Sequence, residues 1–161
     1  MRAAAVAAVL VAGCADPTAR PAGGETALVT RVVDGDTIRV RLEGWEEAVR
    51  YIGVDTPESV KPGAPVECFA ERASALNARL VEGERVRLVR DVEARDRYGR
   101  RLAYVYRARD GLFVNAELIR RGHATALTVP PNVLHATRFK VLATRARLSG
   151  RGLWSRCAGA R

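Results

Sequence analysis

The pattern that most restricts the fold is an alternation of apolar and polar side chains that follows an early Asp-Gly pair. Ile38, Val40 and Leu42 alternate with polar or basic neighbours, a period of two that predicts a strand with one buried face. Asp34-Gly35 lies between this strand and a preceding apolar stretch, as a two-residue hairpin turn does. The sequence therefore predicts an antiparallel β-hairpin whose outer face is basic and solvated.

The rest of the chain predicts three more strands and three helices. The strands are Ala48–Val54, a segment around Val86 and Leu88, and Arg101–Tyr106. The helices are Glu67–Val81, a short one through Val114, Leu118 and Ile119, and Leu134–Leu148, with Gly83 and Gly122 ending the first two. The apolar residues that recur at helical spacing are Phe69, Ala73, Leu76 and Leu80 in the first helix, and Phe139, Leu142 and Ala146 in the third.

Five short strands with helices between and after them favour an α+β fold that is mainly a closed β-barrel of the OB type. A chain of 161 residues makes one domain, which we place at residues 26–157, followed by a tail at 158–161. The alternative architecture is a generic α+β sandwich.

The N-terminus predicts export. An uncharged apolar run follows Met1 and Arg2 and is too short to span a bilayer as a mature helix. It ends in Val-Ala-Gly-Cys at Cys14, which resembles the lipobox of bacterial lipoproteins. We therefore predict a signal peptide at 1–13, acylation of Cys14, a flexible tether at 14–25, and a protein that is anchored to the cell membrane or is periplasmic or extracellular. The alternative is an ordinary secretory signal cleaved elsewhere.

Export also changes the reading of the cysteines. If Cys14 is lipidated, Cys68 and Cys157 are an even pair in an oxidising compartment. A bond between them would hold a C-terminal tail that otherwise frays, so we predict a disulfide. The alternative is two unrelated thiols.

The charge of the chain favours a polyanionic partner. Lys and Arg number 27 against 18 Asp and Glu, a net charge of +9, and all but Lys61 and Lys140 of the basic residues are Arg. Arginine suits phosphate because its planar fork donates two parallel hydrogen bonds. A GC-rich coding sequence with merely solvated arginines would give the same composition.

Three clusters of charged residues lie beside predicted turns. They are Asp-Gly-Asp-Thr at 34–37, Arg-Tyr-Ile-Gly-Val-Asp-Thr-Pro-Glu at 50–58, and Asp-Arg-Tyr-Gly-Arg-Arg at 96–101. In the second cluster, Asp55 and Glu58 lie on a loop stiffened by Pro57, which offers hard oxygen ligands to a metal. Taken singly, the clusters are also typical of a hairpin turn, a capping box or surface turn, and a solvated hairpin tip.

Taken together and in this order, the three clusters resemble the staphylococcal nuclease (thermonuclease-like) family. The resemblance runs from about Thr26 to Trp154 and includes Val66-Glu67, Ala73, Val114-Asn115, Leu118 and Gly152-Leu153-Trp154. It implies a five-stranded OB-fold barrel with three helices. It also implies a Ca²⁺-dependent phosphodiesterase that acts on DNA and RNA and leaves 3′-phosphate ends.

The resemblance assigns roles to the residues that match. Asp36 and Asp55, through their carboxylates, and Thr56, through its backbone carbonyl, are expected to bind Ca²⁺. Arg50 and Arg100 are expected to stabilise the charge that develops on the phosphate, since arginine keeps its proton.

The resemblance also assigns roles to Glu58, Arg97 and Tyr98, whereas the two histidines are interpreted from their spacing. Glu58 is expected to take a proton from the attacking water or to orient it. Arg97 and Tyr98 resemble the pair that holds the terminal phosphate of the substrate. His123 and His135 follow no zinc-binding spacing and are interpreted as structural or surface residues.

One segment departs from the family. Residues 125–130 read Thr-Ala-Leu-Thr-Val-Pro, where the family's reference enzyme carries tyrosines that flank the substrate base. Stacking on an aromatic ring is worth about 1–3 kcal/mol per base, so base binding is expected to be weaker or to use other groups.

The leading prediction is a monomeric nuclease. The alternative is a catalytically inactive OB-fold module that binds nucleic acid or peptide, although pure binding needs no cluster of carboxylates at a phosphate site.

Overall fold

Five strands close into a barrel in the order β1-β2-β3-β6-β5. The computed structural model describes residues 23–59, 63 and 65–157, so the predicted signal peptide, Cys14, most of the tether and the tail lie outside the described residues. The strands are β1 (Glu25–Val32), β2 (Thr37–Leu42), β3 (Trp45–Tyr51), β4 (Val54–Asp55), β5 (Arg85–Val89), β6 (Arg101–Arg107) and β7 (Thr125–Ala126). The helices are α1 (Ala70–Val81), α2 (Val114–Arg120), α3 (Ala136–Leu148) and α4 (Leu153–Arg156).

The interior of the barrel holds the core. Neighbouring strands pair antiparallel except β3 and β6, which run parallel, and β5 closes the barrel by pairing with β1. The alternation in β2 has its expected meaning, because Ile38 and Val40 are fully buried while Arg41 is exposed. The predicted five-stranded barrel with three helices is confirmed, and the sandwich alternative is excluded.

The third strand ends earlier than its apolar pattern indicates. It stops at Tyr51, and a turn at Ile52 and Gly53 separates it from the two-residue strand β4. Gly53 has a φ of 76°, and the ring of Phe139 occupies the space that a Cβ would need. The turn directs the chain into β4, which pairs with β7, so Asp55 lies at the end of a second small sheet.

The connection between β1 and β2 has four residues, Val33 to Asp36, rather than the predicted two. The backbone N–H groups of Val33 and Asp34 both donate to the carbonyl of Thr37, at 2.9 and 3.2 Å. Gly35 packs against Thr56 so closely that a side chain would collide with it. The loop is longer because it turns inward onto the β4 segment, whereas a two-residue hairpin would project into solvent.

The helices cover the barrel with their apolar faces. Ala73, Leu76 and Leu80 are buried on α1, as the spacing predicts. Phe69 is not part of the helical stripe, because it precedes α1 with a left-handed φ of 75° and is half-buried. The one-turn helix α4 is an addition that four residues of sequence do not specify.

A disulfide joins the two ends of the helical layer. Cys68 and Cys157 are bonded, with their Cα atoms 5.9 Å apart, and the bond connects the start of α1 to the residue after α4. Of the helices in the described part of the chain, none has the length and apolar character to cross a membrane.

Candidate active site

A polar cavity of about 200 Å³ collects the residues that the sequence marks for catalysis and metal binding. All six line it, together with Asp34 and Pro57: Asp36, Arg50, Asp55, Thr56, Glu58 and Arg100. They come from the β1–β2 loop, β3, the β4 segment and the turn before β6. The barrel thus brings together three clusters that are up to 64 residues apart in the chain.

Asp36 lies at the bottom of this cavity with only 5% of its surface exposed. Its Oδ2 atom accepts hydrogen bonds from the backbone N–H of Thr56 at 2.9 Å and from the Thr56 hydroxyl at 3.0 Å. Its Oδ1 atom accepts one from the hydroxyl of Thr37 at 3.2 Å. These bonds join the β1–β2 loop to the β4 segment and fix the carboxylate in position.

Arg50 is held on several sides. Its Nη1 lies 2.8 Å from Asp36 Oδ2 and donates to the carbonyl of Val54 at 2.8 Å, while its Nη2 lies 3.4 Å from Asp55 Oδ1. The side chain is 16% exposed, so this ion pair is poorly solvated. The end of β3 at Tyr51 permits this geometry, because the turn brings the Val54 carbonyl and Asp55 back toward Arg50.

The electrostatics of the cavity favour a cation. Burial raises the pKa of Asp36 to about 7, with Asp34 adding to the rise and the Arg50 guanidinium opposing it. Burial also raises the pKa of Asp55; Arg50 opposes the rise, and Glu67 and Glu58 add to it. Two guanidiniums line the cavity with four carboxylates, and one of them, Arg100, is already paired with Asp96. A bound cation would favour the ionised forms of the carboxylates.

The oxygen donors are suitable for a hard cation. Asp36, Asp55 and Thr56, the residues expected from the sequence to bind a metal, all line this one cavity. No group of three or more His, Cys, Asp or Glu residues poised to hold a metal occurs in the part of the chain that the structure describes. The ligand set expected from the sequence has two carboxylate side chains and one backbone carbonyl, so it contains fewer than three such residues. Most coordination positions of the ion would then be filled by water or substrate, which Ca²⁺ accepts.

Glu58 enters the cavity from the loop beyond β4. Its backbone N–H donates to Glu67 Oε2 at 3.0 Å, and its backbone carbonyl accepts from the Glu67 N–H, also at 3.0 Å. This reciprocal pair closes the loop between the two glutamates. It sets the position of Glu58 relative to α1, which begins three residues after Glu67.

Arg100 is oriented by the turn that carries it. Asp96 accepts from Arg100 Nε at 2.7 Å and from its backbone N–H at 2.9 Å. Among the described residues no acceptor is bonded to the two terminal nitrogens of Arg100, which belongs to the lining of the cavity. The turn of the third cluster thus places the Arg100 guanidinium at the cavity, and Asp96 fixes its orientation.

Arg97 and Tyr98 lie outside this cavity, in an adjoining groove of about 440 Å³ that shares Arg50 and Arg100 with it. Arg97 Nη2 donates to the Tyr98 hydroxyl at 2.6 Å, and its guanidinium lies 4.8 Å from the centre of the Tyr98 ring. The groove is lined mainly by apolar surface, including Leu127 from the segment without tyrosines. Aliphatic side chains and Tyr98 therefore form much of the wall of this groove.

Sequence reasoning missed a buried amide that supports the site. Asn77 on α1 is fully buried, donates to the backbone carbonyl of Asp34 at 3.1 Å and accepts from the Tyr51 hydroxyl at 2.9 Å. It connects α1, the β1–β2 loop and the end of β3. A polar residue within the apolar stripe of a predicted helix is the signal that marks it, since buried amides are hydrogen-bonded.

Neither histidine lines the catalytic cavity. The His135 ring packs edge-on against Tyr104 at 4.5 Å and against Phe113 at 4.9 Å, and burial lowers its pKa. The His123 ring packs against Phe69 at 4.9 Å on a different face of the protein. Both positions agree with the structural interpretation from the sequence.

The sequence of this chain is similar to those of known nucleases. Residues 48–156 match the family described as staphylococcal nuclease homologue. The chain is 42% identical to the thermonuclease of Staphylococcus intermedius over 133 residues, which are 83% of this chain and 78% of that protein. It is 39% identical to the thermonuclease of Staphylococcus hyicus over 134 residues, with the same coverage of 83% and 78%. It is also 39% identical to endonuclease YncB of Bacillus subtilis over 128 residues, which are 78% of this chain and 60% of that protein.

Proposed function

Because the chain belongs to the staphylococcal nuclease family, we propose that it hydrolyses phosphodiester bonds in both DNA and RNA with the help of Ca²⁺. Its similarity to thermonucleases and an endonuclease identifies a nuclease. The observation that carries the specific proposal is the cavity in which two oriented arginines, two carboxylates and Glu58 face the same space.

The proposed metal ligands are Asp36, Asp55 and the carbonyl of Thr56. Bound Ca²⁺ would supply positive charge to the nonbridging oxygens of the phosphate and would lower the pKa of a bound water. The chain itself must reduce the electrostatic repulsion between the two carboxylate ligands, Asp36 and Asp55. Arg50 does this by lying between the two carboxylates, at 2.8 Å from Asp36 and 3.4 Å from Asp55.

The two arginines stabilise the transition state. Arg50 is fixed by Asp36 and the Val54 carbonyl, and Arg100 is fixed by Asp96. Donors that are already oriented need no reorganisation when negative charge develops on the phosphate oxygens. Glu58 accepts a proton from the attacking water while the bond between the water oxygen and phosphorus forms.

The bond from phosphorus to the O5′ oxygen breaks in this step, and O5′ takes a proton from solvent water to become a 5′-hydroxyl. The phosphate therefore stays on the 3′ end of the upstream fragment. The adjoining groove receives the nucleotide next to the scissile bond, with its phosphate at Arg97 and the Tyr98 hydroxyl. Leu127 and Tyr98 bound the space for the base. An apolar wall without a stack of tyrosines discriminates little between bases, which is consistent with a nuclease that does not select sequence.

Cleavage of supercoiled DNA and of single-stranded RNA tests the proposal directly. The purified protein is incubated with each polymer in Ca²⁺, in Mg²⁺ and in excess chelator, and end groups are identified by mass spectrometry. We expect cleavage only with metal, faster in Ca²⁺, and with 3′-phosphate ends. Binding of both polymers without cleavage in any metal would favour the inactive OB-fold module.

For the N-terminus we propose export as a monomer that is anchored by acylated Cys14. The proposal rests on the motif before Cys14 and on the even pair of remaining cysteines, Cys68 and Cys157. Mass spectrometry of the mature N-terminus should find a lipid on Cys14, and Cys14→Ser should release the protein from membranes. An unmodified N-terminus several residues beyond Cys14 would contradict it.

A further inference from the structure

A second cavity, of about 410 Å³, lies on the outward face of α1 and shares no residue with the catalytic cavity. We call it the arginine pocket and define it by its lining: Phe69, Arg72, Ala75, Arg79, His123, Gly152, Ser155 and Arg156. Three of these residues are arginines, and none is acidic. The cavity is therefore built for an anion, and its position separates it from the chemistry of phosphodiester cleavage.

The pocket is built by well-fixed parts of the fold. Arg72 and Arg79 are seven residues apart on α1, so they lie two helical turns apart on one face. The opposite wall is α4, whose first residue donates from its N–H to the carbonyl of Gly122 at 2.8 Å. Gly122 and Gly152 pack backbone to backbone so closely that neither has room for a Cβ. The Cys68–Cys157 disulfide holds the other end of α4 against the start of α1.

The arginines of the pocket lack acidic partners. In the described part of the chain no carboxylate lies within ion-pair distance of Arg72, Arg79 or Arg156. On the neighbouring α2, by contrast, Glu117 neutralises two consecutive arginines, 120 and 121, with contacts of 2.7 and 2.6 Å. Glu67 and Glu71 line an adjoining cavity that shares Phe69, Arg72 and Arg156 with the pocket, but neither forms an ion pair with its arginines. An excess of positive charge around a cavity attracts an external anion, which binds by releasing counterions.

An aromatic ring forms part of the pocket wall. Phe69 has a φ of 75°, a conformation that bulky residues rarely adopt because it strains the backbone. The strained backbone places the ring beside His123, at 4.9 Å, with the Arg72 guanidinium 5.7 Å from its centre. Guanidinium groups with an adjacent aromatic ring are the combination that binds both the phosphate and the base of a single-stranded nucleic acid.

We propose that the arginine pocket binds the backbone phosphates of a single nucleic-acid strand, with a base against Phe69, away from the point of cleavage. The proposal deepens the proposed function and rests on it, because the strand held here is a distant part of the same polymer substrate. A strand held at a second point raises the effective concentration of its scissile bonds at the catalytic cavity. Long single strands should therefore be better substrates than short diesters.

The first experiment measures binding without cleavage. Fluorescence anisotropy of a labelled oligothymidylate of about twenty nucleotides is recorded in excess chelator, over a series of salt concentrations. The test variant is Arg72→Ala with Arg79→Ala. The matched control is Arg31→Ala with Arg145→Ala, which removes the same charge from exposed arginines that line neither this pocket nor the catalytic cavity. We expect the test variant to bind at least tenfold more weakly at low salt, with a salt slope reduced by about 1.4 for two lost phosphate contacts.

The second experiment separates this proposal from the proposed function. Single-turnover rates in Ca²⁺ are compared for a long single strand and for a nitrophenyl phosphodiester of thymidine. We expect the ratio of the two kcat/KM values to fall at least fivefold in the test variant and less than twofold in the control. If the parent protein cleaves neither substrate, the proposed function fails while the anisotropy comparison still tests the pocket.

Two outcomes overturn the proposal. Equal loss of oligonucleotide affinity in the test and control variants would show that only overall charge matters. Loss of binding to phosphatidylglycerol vesicles, with oligonucleotide affinity retained, would assign the pocket to anionic lipid headgroups. A Phe69→Leu variant gives an independent check, because it keeps every charge and should still weaken oligonucleotide binding about threefold or more.

Discussion

The catalytic cavity and the arginine pocket use the same side chain in opposite ways. In the catalytic cavity each arginine is clamped by a carboxylate, Arg50 by Asp36 at 2.8 Å and Arg100 by Asp96 at 2.7 Å. In the arginine pocket, Arg72 and Arg79 have no such clamp among the described residues. We propose that both cavities bind phosphate, but only the catalytic cavity holds its guanidiniums in fixed positions by ion pairs.

The difference shows what an ion pair contributes to an enzyme. A clamped guanidinium has lost its conformational freedom before substrate arrives, so its donors meet the transition state without further ordering. An unclamped guanidinium keeps its full charge and its freedom, which suits a strand that binds in many registers. An ion pair weakens the attraction of a guanidinium for phosphate but fixes its position more accurately. Catalysis needs the accurate position, whereas binding of a strand needs the stronger attraction.

Removing a clamped arginine should have the largest effect. Arg50→Ala and Arg100→Ala should each slow single-turnover cleavage of a short DNA strand at saturating Ca²⁺ by about 10²–10³-fold, as loss of a pre-oriented donor does. Lysine at either position should recover little, because a point charge does not reproduce the planar fork. Arg145→Ala serves as the control and should cleave at the parent rate. Equal rates in all variants would mean that these guanidiniums do not touch the reacting phosphate.

Breaking the disulfide should affect the arginine pocket more than the catalytic cavity, because Cys68 is adjacent to Phe69 and Cys157 to Arg156. The bond spans 89 residues, for which chain entropy gives an upper figure of about 4–5 kcal/mol. Cys68→Ser with Cys157→Ser should lower the free energy of unfolding by about 2–4 kcal/mol in urea titrations. Oligonucleotide affinity should fall with it, and an unchanged unfolding free energy would contradict the prediction.

The Asp36 carboxylate should decide whether the catalytic cavity binds metal. Ca²⁺ at 100 times its dissociation constant should stabilise the parent protein by about 2.7 kcal/mol in thermal melts. Asp36→Asn should abolish this Ca²⁺-dependent rise in Tm, because it removes a buried anionic ligand while keeping its shape.

Asp110→Asn is a matched control for the metal experiment. It removes the same charge from a carboxylate that pairs with Arg107 and lines neither cavity. The Ca²⁺-dependent rise in Tm should survive in this variant. A normal rise in Asp36→Asn would place the metal elsewhere.

The smallest expected effect is a change in the titration of His123. Burial lowers its pKa, and the surrounding arginines lower it further, so the folded protein binds its proton less readily than the unfolded chain. The contribution of His123 to stability should therefore decrease as the pH falls below about 6.5, where the unfolded histidine begins to take up a proton. The charged groups that face His123 are Arg72 and Arg79 from α1, Arg121 at the end of α2, and Arg156 from α4.

NMR titration of the two histidines measures this effect. Phosphates bound in the arginine pocket offset the arginines, so the His123 pKa should rise when an oligonucleotide is added. His135, which lies among aromatic rings away from both cavities, is the internal control and should not move. Equal shifts for both histidines would indicate a general charge effect and would remove the support for a local site.

Much of the candidate site was predictable because its residues occur in short, ordered clusters. The Asp-Thr-Pro-Glu segment around Asp55 and the Asp-Arg-Tyr-Gly-Arg turn around Arg100 combine charge with backbone-restricting residues, which local sequence reveals. The assignment of Asp36 depended on the other clusters, since an Asp-Gly pair alone indicates only a turn. Arg97 and Tyr98 were assigned to the terminal phosphate of the substrate, and they lie in the adjoining groove outside the catalytic cavity.

Other parts were not predictable from local pattern. The early end of β3 depends on Gly53 and on the ring of Phe139, a residue 86 positions away. The role of Asn77 depends on a backbone carbonyl in a different loop. The arginine pocket joins α1 to α4, and no spacing in the sequence shows that Arg156 comes near Arg79.

Local sequence establishes which chemical groups are present and which short segments carry them. Alternation within β2, helical spacing in α1 and the three charged clusters depend on neighbouring residues, and neighbours are what periodicity and turn chemistry describe. The fold determines which arginines form ion pairs and which have no carboxylate partner among the described residues. That outcome depends on distances between elements far apart in the chain, because the strength of an ion pair depends on separation and burial.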